Sequence, residues 1–388
     1  MSNRRKQHYV PKEYLRAFSN DTKNISLYVI DKGLTVPRAP LSDQCYQNFF
    51  YGKDLLWEDK LAKLETQWGL VLSKLKDSHD YYPNSEERKL LQSFIIFQYY
   101  RTESYIDHAT DNILGLESES IRMEIEKGQN VDLSGVTKKQ LKSMILQNDP
   151  EHKAKVKQKV VQNSLSIASQ IITEIDDLAM MIVNYKTTSN LISCDNPVIY
   201  INLYSPYHIG LTMAGLVIFL PLSPKRLLVF YDSKMYNQKN NILSISNDNE
   251  IKHLNTYHFI KAKNILIANN VSDFSFIEKN PCIMKFRQEN KETSALSTFG
   301  TREDKIIHAH PPLCLYDCPL SFCKLPKKLS KIPLGVRDRF PRKYDQKWEY
   351  HFKLRLSLYK SIPEMNANRV TLQEANEINN FIFRYWRR

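Results

Sequence analysis

Gln98, Arg101, Tyr105 and His108 follow one another at intervals of three, four and three residues. On a helix that spacing sets an amide, a guanidinium, a phenol and an imidazole in a row on one face. Arg101 would offer a planar fork that holds a phosphate bidentately. His108 would move a proton near neutral pH. The plainer alternative is a solvated polar face, with Arg101 paired to a neighbour on its own helix.

Three further groupings have the residue types of a site. Glu58 and Glu65 lie two helical turns apart in WEDKLAKLE and point the same way. They suit a divalent metal or a general base, or else a charged outer face shared with Lys60 and Lys63. Asp195, in SCDNPV, follows an apolar strand and precedes an Asn-Pro turn. Sites form at such strand ends, and an Asx-turn would equally spend the carboxylate on its own backbone. Cys194 alternates with Asp195 along the strand and is expected to be buried rather than nucleophilic. His308, His310, Cys314, Cys318 and Cys323 crowd five possible zinc ligands into sixteen residues. Their Cys-x3-Cys and Cys-x4-Cys intervals depart from zinc-finger spacing, so a structural zinc clip and an irregular loop both fit. There is no Gly-rich phosphate loop, no G-x-S-x-G elbow, no H-E-x-x-H and no dinucleotide fingerprint, which sets aside the enzyme classes those motifs mark.

Charge says more about partners than about fold. The chain has 388 residues, 42% hydrophobic and 25% charged, with a formal net charge of +13. It can bury a large core, and its field favours anionic partners. Between Lys324 and Lys360, twelve Lys/Arg stand against three Asp/Glu, interleaved with Tyr344, Trp348, Tyr350, Phe352 and Tyr359. Lys327, Lys328, Arg337, Arg339, Arg342 and Lys343 would hold phosphates while the rings stack on bases. A basic face whose rings dock on the core is the alternative. No apolar run reaches about 18 residues, so no membrane span is expected. The basic start has no apolar stretch behind it, so no signal peptide is expected. Six cysteines, the first three scattered singly, read as a reduced, cytoplasmic protein. Oligomeric state is not legible.

Elements must position these groups. ISLYVID (25–31) alternates as a strand, and residues 55–76 and 84–114 read as helices, the second capped by Asn84 or Ser85. Further helices are expected over 137–149 and 151–185, β-rich segments over 191–202 and 215–232, and helix then strand over 247–269. A last helix closes the chain. The class is α+β: a helix-rich core packed on a small mixed or antiparallel sheet. A core domain over 1–285 and a basic, His/Cys-containing extension over 286–388 complete the outline.

The opening stretch gives these pieces an order. Gln7-His8-Tyr9-Val10-Pro11, followed by Tyr14, Leu15, Arg16 and Phe18, resembles the signature of a bacterial family of domains of unknown function, the 4238 family. Glu58 and Glu65, Gln98-x-x-Arg101-Thr102, Asp195-Asn196-Pro197, Pro221–Pro224 and Asn255 then resemble its later features, over roughly residues 5–270. The family brings no established activity. It implies an order of polar residues on separate elements, His8, Glu65, Arg101, Asp195 and Asn255, which would form one polar site where they converge; Gln7 and Gln98 are further candidates for substrate contact. The Arg101-x6-His108 interval separately resembles the Arg/His motif of HEPN ribonucleases. The resulting expectation is a nuclease, RNA-directed and of defence or toxin type. His8 would be acid or base, Arg101 the phosphate holder, and Asp195 and Glu65 would orient His8 or bind a divalent metal. A non-catalytic nucleic-acid-binding or regulatory module is the second reading, and a small-molecule hydrolase or transferase the third.

Overall fold

A computed structural model describes residues 5–126 and 149–278, apart from 79, 203–209, 213–214, 234, 237 and 239, together with 142, 283–284, 287, 296–299, 306–309 and 320–323. The elements run β1 (Lys6–His8), α1 (Lys12–Leu15), β2 (Asn24–Val29), β3 (Leu34–Pro40), β4 (Tyr46–Asn48), α2 (Leu56–Asp77), α3 (Ser85–Tyr100), α4 (Glu103–Glu126) and α5 (Pro150–Gln170). Then come β5 (Ala179–Tyr185), β6 (Ser193–Cys194), β7 (Ile199–Asn202), β8 (Leu216–Ser223), β9 (Arg226–Tyr231), β10 (Ile242–Ile245), α6 (Asp248–Lys261), β11 (Ile265–Ala268), α7 (Ser275–Glu278), β12 (Leu296–Phe299) and β13 (Ile306–Ala309). The fold is α+β, with a helical layer against mostly antiparallel sheets.

The central sheet has the order β10-β5-β9-β8-β7, antiparallel except for the parallel β10–β5 pair. Both of its faces are buried. Met180, Ile182, Ile218, Leu220, Leu228 and Phe230 enter the core shared with the helices. Their alternates Met181, Val183, Val217, Phe219, Leu227 and Val229 join Ile251, Leu254 and Tyr257 of α6 in a second core. A strand covered on both sides needs apolar residues at every position. That explains why AMMIVNY carries no period-two signal and reads as the tail of a helix. The helix expected over 151–185 in fact ends at Gln170, and Ala179–Tyr185 is a strand. A second sheet, β3-β2-β11-β6, is antiparallel throughout.

The helix expected over 84–114 is two helices. It starts as read: Asn84 accepts from the Glu86 and Glu87 amides at 3.0 Å each, and Glu87 accepts from the Asn84 amide at 3.0 Å. This capping box satisfies donors the helix cannot. α3 then stops at Tyr100, with Arg101 as its C-cap. Buried Thr102 accepts from the Tyr105 amide at 3.3 Å and so opens α4. The break prevents one continuous face from carrying Gln98, Arg101, Tyr105 and His108.

Two described pieces of the chain beyond 285 join the core, while β12 and β13 pair with each other as a separate two-stranded sheet. Arg287 donates to the carbonyls of Phe259 (2.9 Å), Ile260 (3.3 Å), Ala262 and Lys263 (2.7 Å) at the end of α6. Leu320, Phe322 and Cys323 sit in the second core, and the Ser321 amide bonds Glu250 at 2.9 Å. Removing the α3 cap is expected to cost about 1 kcal/mol. Urea unfolding of Asn84→Ala measures it, and an unchanged midpoint would mean that the box does not hold α3.

Candidate functional site

The opening motif is built into the core from its first residues. β1 pairs with β4, opposing His8 to Tyr46. Gln7 is fully buried. Its amide donates to the Gly52 carbonyl at 3.1 Å and accepts from the Tyr51 amide at 2.6 Å. The Tyr51 hydroxyl in turn donates to the His8 carbonyl at 3.0 Å. Tyr9 is held at three points: its amide on the Cys45 carbonyl (2.9 Å), its carbonyl on the Gln98 amide (2.9 Å), and its hydroxyl on Glu103 (3.4 Å).

Gln98 relays this anchorage to Arg101. Its oxygen accepts from Arg101 Nε at 3.1 Å and Nη2 at 2.9 Å. Arg101 Nη1 donates to Glu65 at 2.7 Å, and the guanidinium lies 5.5 Å from the Trp68 ring centre. The Arg101 side chain is 0% exposed and that of Glu65 30% exposed. Gln7, Gln98, Arg101 and Glu65 are thus linked in one hydrogen-bonded hub, with His8 at its margin. Arg101 is enclosed by protein partners, however, and offers no face to a phosphate.

Asp195 belongs to an adjoining hub. Its carboxylate accepts three backbone amides where α6 turns into β11: Lys263 (2.8 Å), Asn264 (2.6 Å) and Ile265 (3.2 Å). Burial pushes its carboxyl up to about 6, against the pull of those amides and of Arg287. Lys263 donates to Glu103 at 2.6 Å and to Asp107, which also pairs with Lys157 at 2.8 Å. Asn264 reaches Glu103 at 3.3 Å. Glu103 thus joins the two hubs through Tyr9. The expected metal position falls apart here, because Glu65 serves Arg101 and Asp195 serves amides. Among the described residues no group of three or more His, Cys, Asp or Glu is placed to hold a metal ion.

The chain matches the family described as protein of unknown function (DUF4238) over residues 6–272. It belongs to this family. No curated protein and no solved structure matches it. The opening Gln7–Pro11 stretch, the Gln98-x-x-Arg101-Thr102 turn and the Asp195-Asn196-Pro197 strand end all lie within the matched residues and meet in these two hubs.

Other nominated residues stand apart. Asn255 lies on α6, where it accepts from the Ile192 amide at 3.0 Å and donates to the Asn190 carbonyl at 2.9 Å. Tyr105 packs with Tyr99 and Tyr100, and Tyr99 stacks on Tyr200 at 4.1 Å. His108 is half-buried, 3.1 Å from the Asn112 amide nitrogen. Cys323 is an apolar core residue with a free thiol. The side chains of His308, His310, Cys314, Cys318, Lys327, Lys328, Arg337, Arg339, Arg342 and Lys343 lie outside the described residues. Tyr51, Glu103 and Lys263 were not legible as site residues. Glu103 follows the Arg-Thr pair directly, which was the only signal available.

His8 is the member that keeps chemical freedom. It is half-buried, and its Nε2 donates to the Ser42 carbonyl at 3.2 Å, which leaves Nδ1 with its lone pair. Burial, reinforced by Lys12, Lys6 and Arg101, holds its pKa down at about 4. The ring is neutral at pH 7.

Two outcomes follow. Arg101→Met should lose about 3–5 kcal/mol in urea unfolding, because Glu65 and the Gln98 oxygen lose their partner. Arg101→Lys should recover little, since one ammonium cannot span both acceptors. As pH falls, the unfolded chain protonates His8 near about 6.5 while the folded one resists to about 4, so stability drops across that window. Buried His258, held down at about 3, acts in the same direction. Asp195 acts oppositely: its raised pKa favours the folded state as pH falls from about 6 toward 3.8. His8→Gln should therefore lose less stability than wild type between about pH 7 and 5, and an equal loss would refute the assignment.

Proposed function

We propose that this chain is a cytoplasmic nucleic-acid-binding protein whose DUF4238 motif residues are architecture. Single-stranded RNA is the favoured partner. The carrying observation is the charge distribution: of a net +13, the stretch from Lys324 to Lys360 contributes twelve basic against three acidic residues, interleaved with six Phe, Tyr or Trp rings. Charge on phosphates and rings on bases is the chemistry of single-strand binding, and unstacked bases are how RNA is most often read. The hubs support the reading from the other side, because Arg101 and Asp195 are fully engaged within the protein. Free, buried Cys45, Cys194 and Cys323 suit a reducing compartment.

A second reading, RNA cleavage of defence or toxin type, has one observation in its favour. His8 is neutral, only half-buried, fixed through Nε2, and stands in the field of Lys6, Lys12 and Arg101. Its Nδ1 lone pair is open to a proton, and an approaching phosphodiester would offset the cations that weaken it as a base. In that reading Glu65 and Arg101 position the opening strand rather than touch the substrate.

Fluorescence anisotropy of the full chain with labelled single-stranded RNA and DNA tests the first reading. Binding should weaken steeply between about 50 and 200 mM salt. Replacing Lys327, Lys328, Arg337, Arg339, Arg342 and Lys343 together by Gln should flatten that slope. No binding at low salt, or unchanged binding by the variant, overturns it. Cleavage of the RNA by wild type but not by His8→Gln would replace it with the second.

A further inference from the structure

Three lysines lie over aromatic rings between the opening strand and the start of α2. Lys6 Nζ stands 4.6 Å from the Tyr46 ring centre, Lys53 Nζ 5.9 Å from that of Phe49, and Lys60 Nζ 4.7 Å from that of Trp57. The first two pairs adjoin, because the Phe49 amide bonds the Arg5 carbonyl at 2.8 Å, next to Lys6. The third belongs to α2, which begins at Leu56, shortly after Lys53. All three lysines are exposed, Phe49 is 36% and Leu56 53% exposed, and Tyr46 and Trp57 are half-buried. A lysine stem over a ring at the surface is a weak and mobile cover.

The backbone of this stretch is held at a cost. Among the described residues four non-glycine residues have positive φ, and three of them fall here: Cys45 (51°), Phe49 (54°) and Leu55 (58°). That region suits Gly or Asn and penalises large side chains. Phe49 occupies it in a turn closed by the Gly52 amide on its carbonyl at 3.0 Å. Asn would make the same turn without the penalty, and a ring left more than a third exposed gains only part of its burial energy. Strain of this kind gathers at functional sites.

The charges select an anionic partner. Asp43 is spent on Lys6 at 2.7 Å, Asp54 accepts the Leu56 amide at 3.3 Å, and Glu58 acts on buried Tyr51. Exposed Asp59 then stands against Lys53 and Lys60, neither of which has an ion-pair partner among the described residues. The Lys6–Asp43 bridge is exposed, and such bridges yield readily. A ring beside each cation matches one base and one phosphate at a time, whereas a membrane surface asks only for apolar bulk and charge.

We propose that this stretch is a stacking site for single-stranded nucleic acid, with bases on Tyr46, Phe49 and Trp57 and phosphates on Lys6, Lys53 and Lys60 once these swing off the rings. The site deepens the nucleic-acid reading and rests on it, adding a contact region far in sequence from the basic stretch.

Fluorescence anisotropy of the full chain with labelled oligouridylate tests it. Phe49→Asn should weaken binding by about tenfold while its urea midpoint stays at or above that of wild type. Lys53→Gln with Lys60→Gln, a surface double variant, should lower the slope of log Kd against log salt by about 1.4. Wild-type binding by both variants overturns the site, and if the Gln variant of the basic stretch loses binding at the same time, the broader reading stands. Loss in these variants with none in that of the basic stretch keeps the site and removes the assignment beyond residue 324. No binding by wild type overturns both. A lowered midpoint in Phe49→Asn, with an unchanged salt slope in the lysine variant, makes the stretch packing and overturns the site. Capture by phosphatidylserine vesicles that Phe49→Asn abolishes, with its RNA binding intact, also overturns it and assigns the surface to a membrane.

Discussion

A guanidinium in the core must have every donor answered, and Arg101 sets that requirement for the motif half of this molecule. Its side chain is fully enclosed, so Gln98 must turn its oxygen inward and Glu65 must reach across from α2. With its oxygen committed, Gln98 has only its NH2 group left, and that group takes the Tyr9 carbonyl. The opening strand is thereby tied to the helices by an amide whose other end is occupied by charge. In a low-dielectric interior such a chain is strong only while complete. The helix break at Thr102 follows the same logic, because it places Arg101 at the end of α3 and starts α4 with Glu103 in reach of Tyr9 and Lys263.

The same device recurs elsewhere. Arg226 reaches from β9 to Asn184 at 2.8 Å and to the carbonyls of Leu75 and Ser78 at the end of α2. Arg88 takes the Asp176 and Leu178 carbonyls, and Arg287 closes the end of α6. Carboxylates do the converse for amides: Asp195 at the α6–β11 turn, Asp248 at Ser189, Glu250 at Ser321. Backbone groups left open where helices and turns end are thus met by charged side chains from distant segments. Asp195 is a fastener of this kind, whereas Arg101 and Glu65 answer each other and Gln98.

This also explains what was readable in the chain. The helix over 55–76 was legible because one face is apolar and the other wet, and it is found at Leu56–Asp77. Asn84 was legible because capping is local. β5 was not, since burial on both faces erases its period. The split after Tyr100 was hidden as well, because its cause is a buried Arg satisfied from another helix. For the polar residues, order within the family named candidates without placing them together, whereas helical spacing pointed to a face that the break after Tyr100 removes. That Asp195 would serve amides nearly seventy residues away could not be read from SCDNPV, where a local turn accounts for the same letters.

One consequence concerns where this protein can be cut. The family match stops at residue 272, but the second core does not. Leu320, Phe322 and Cys323 cover the apolar surface around α6, and Arg287 closes its last carbonyls. A fragment trimmed to the family limit would carry a bare hydrophobic wall and an open helix end. Such a surface invites self-association, so the boundary drawn from shared sequence is shorter than the unit that can remain dispersed in water.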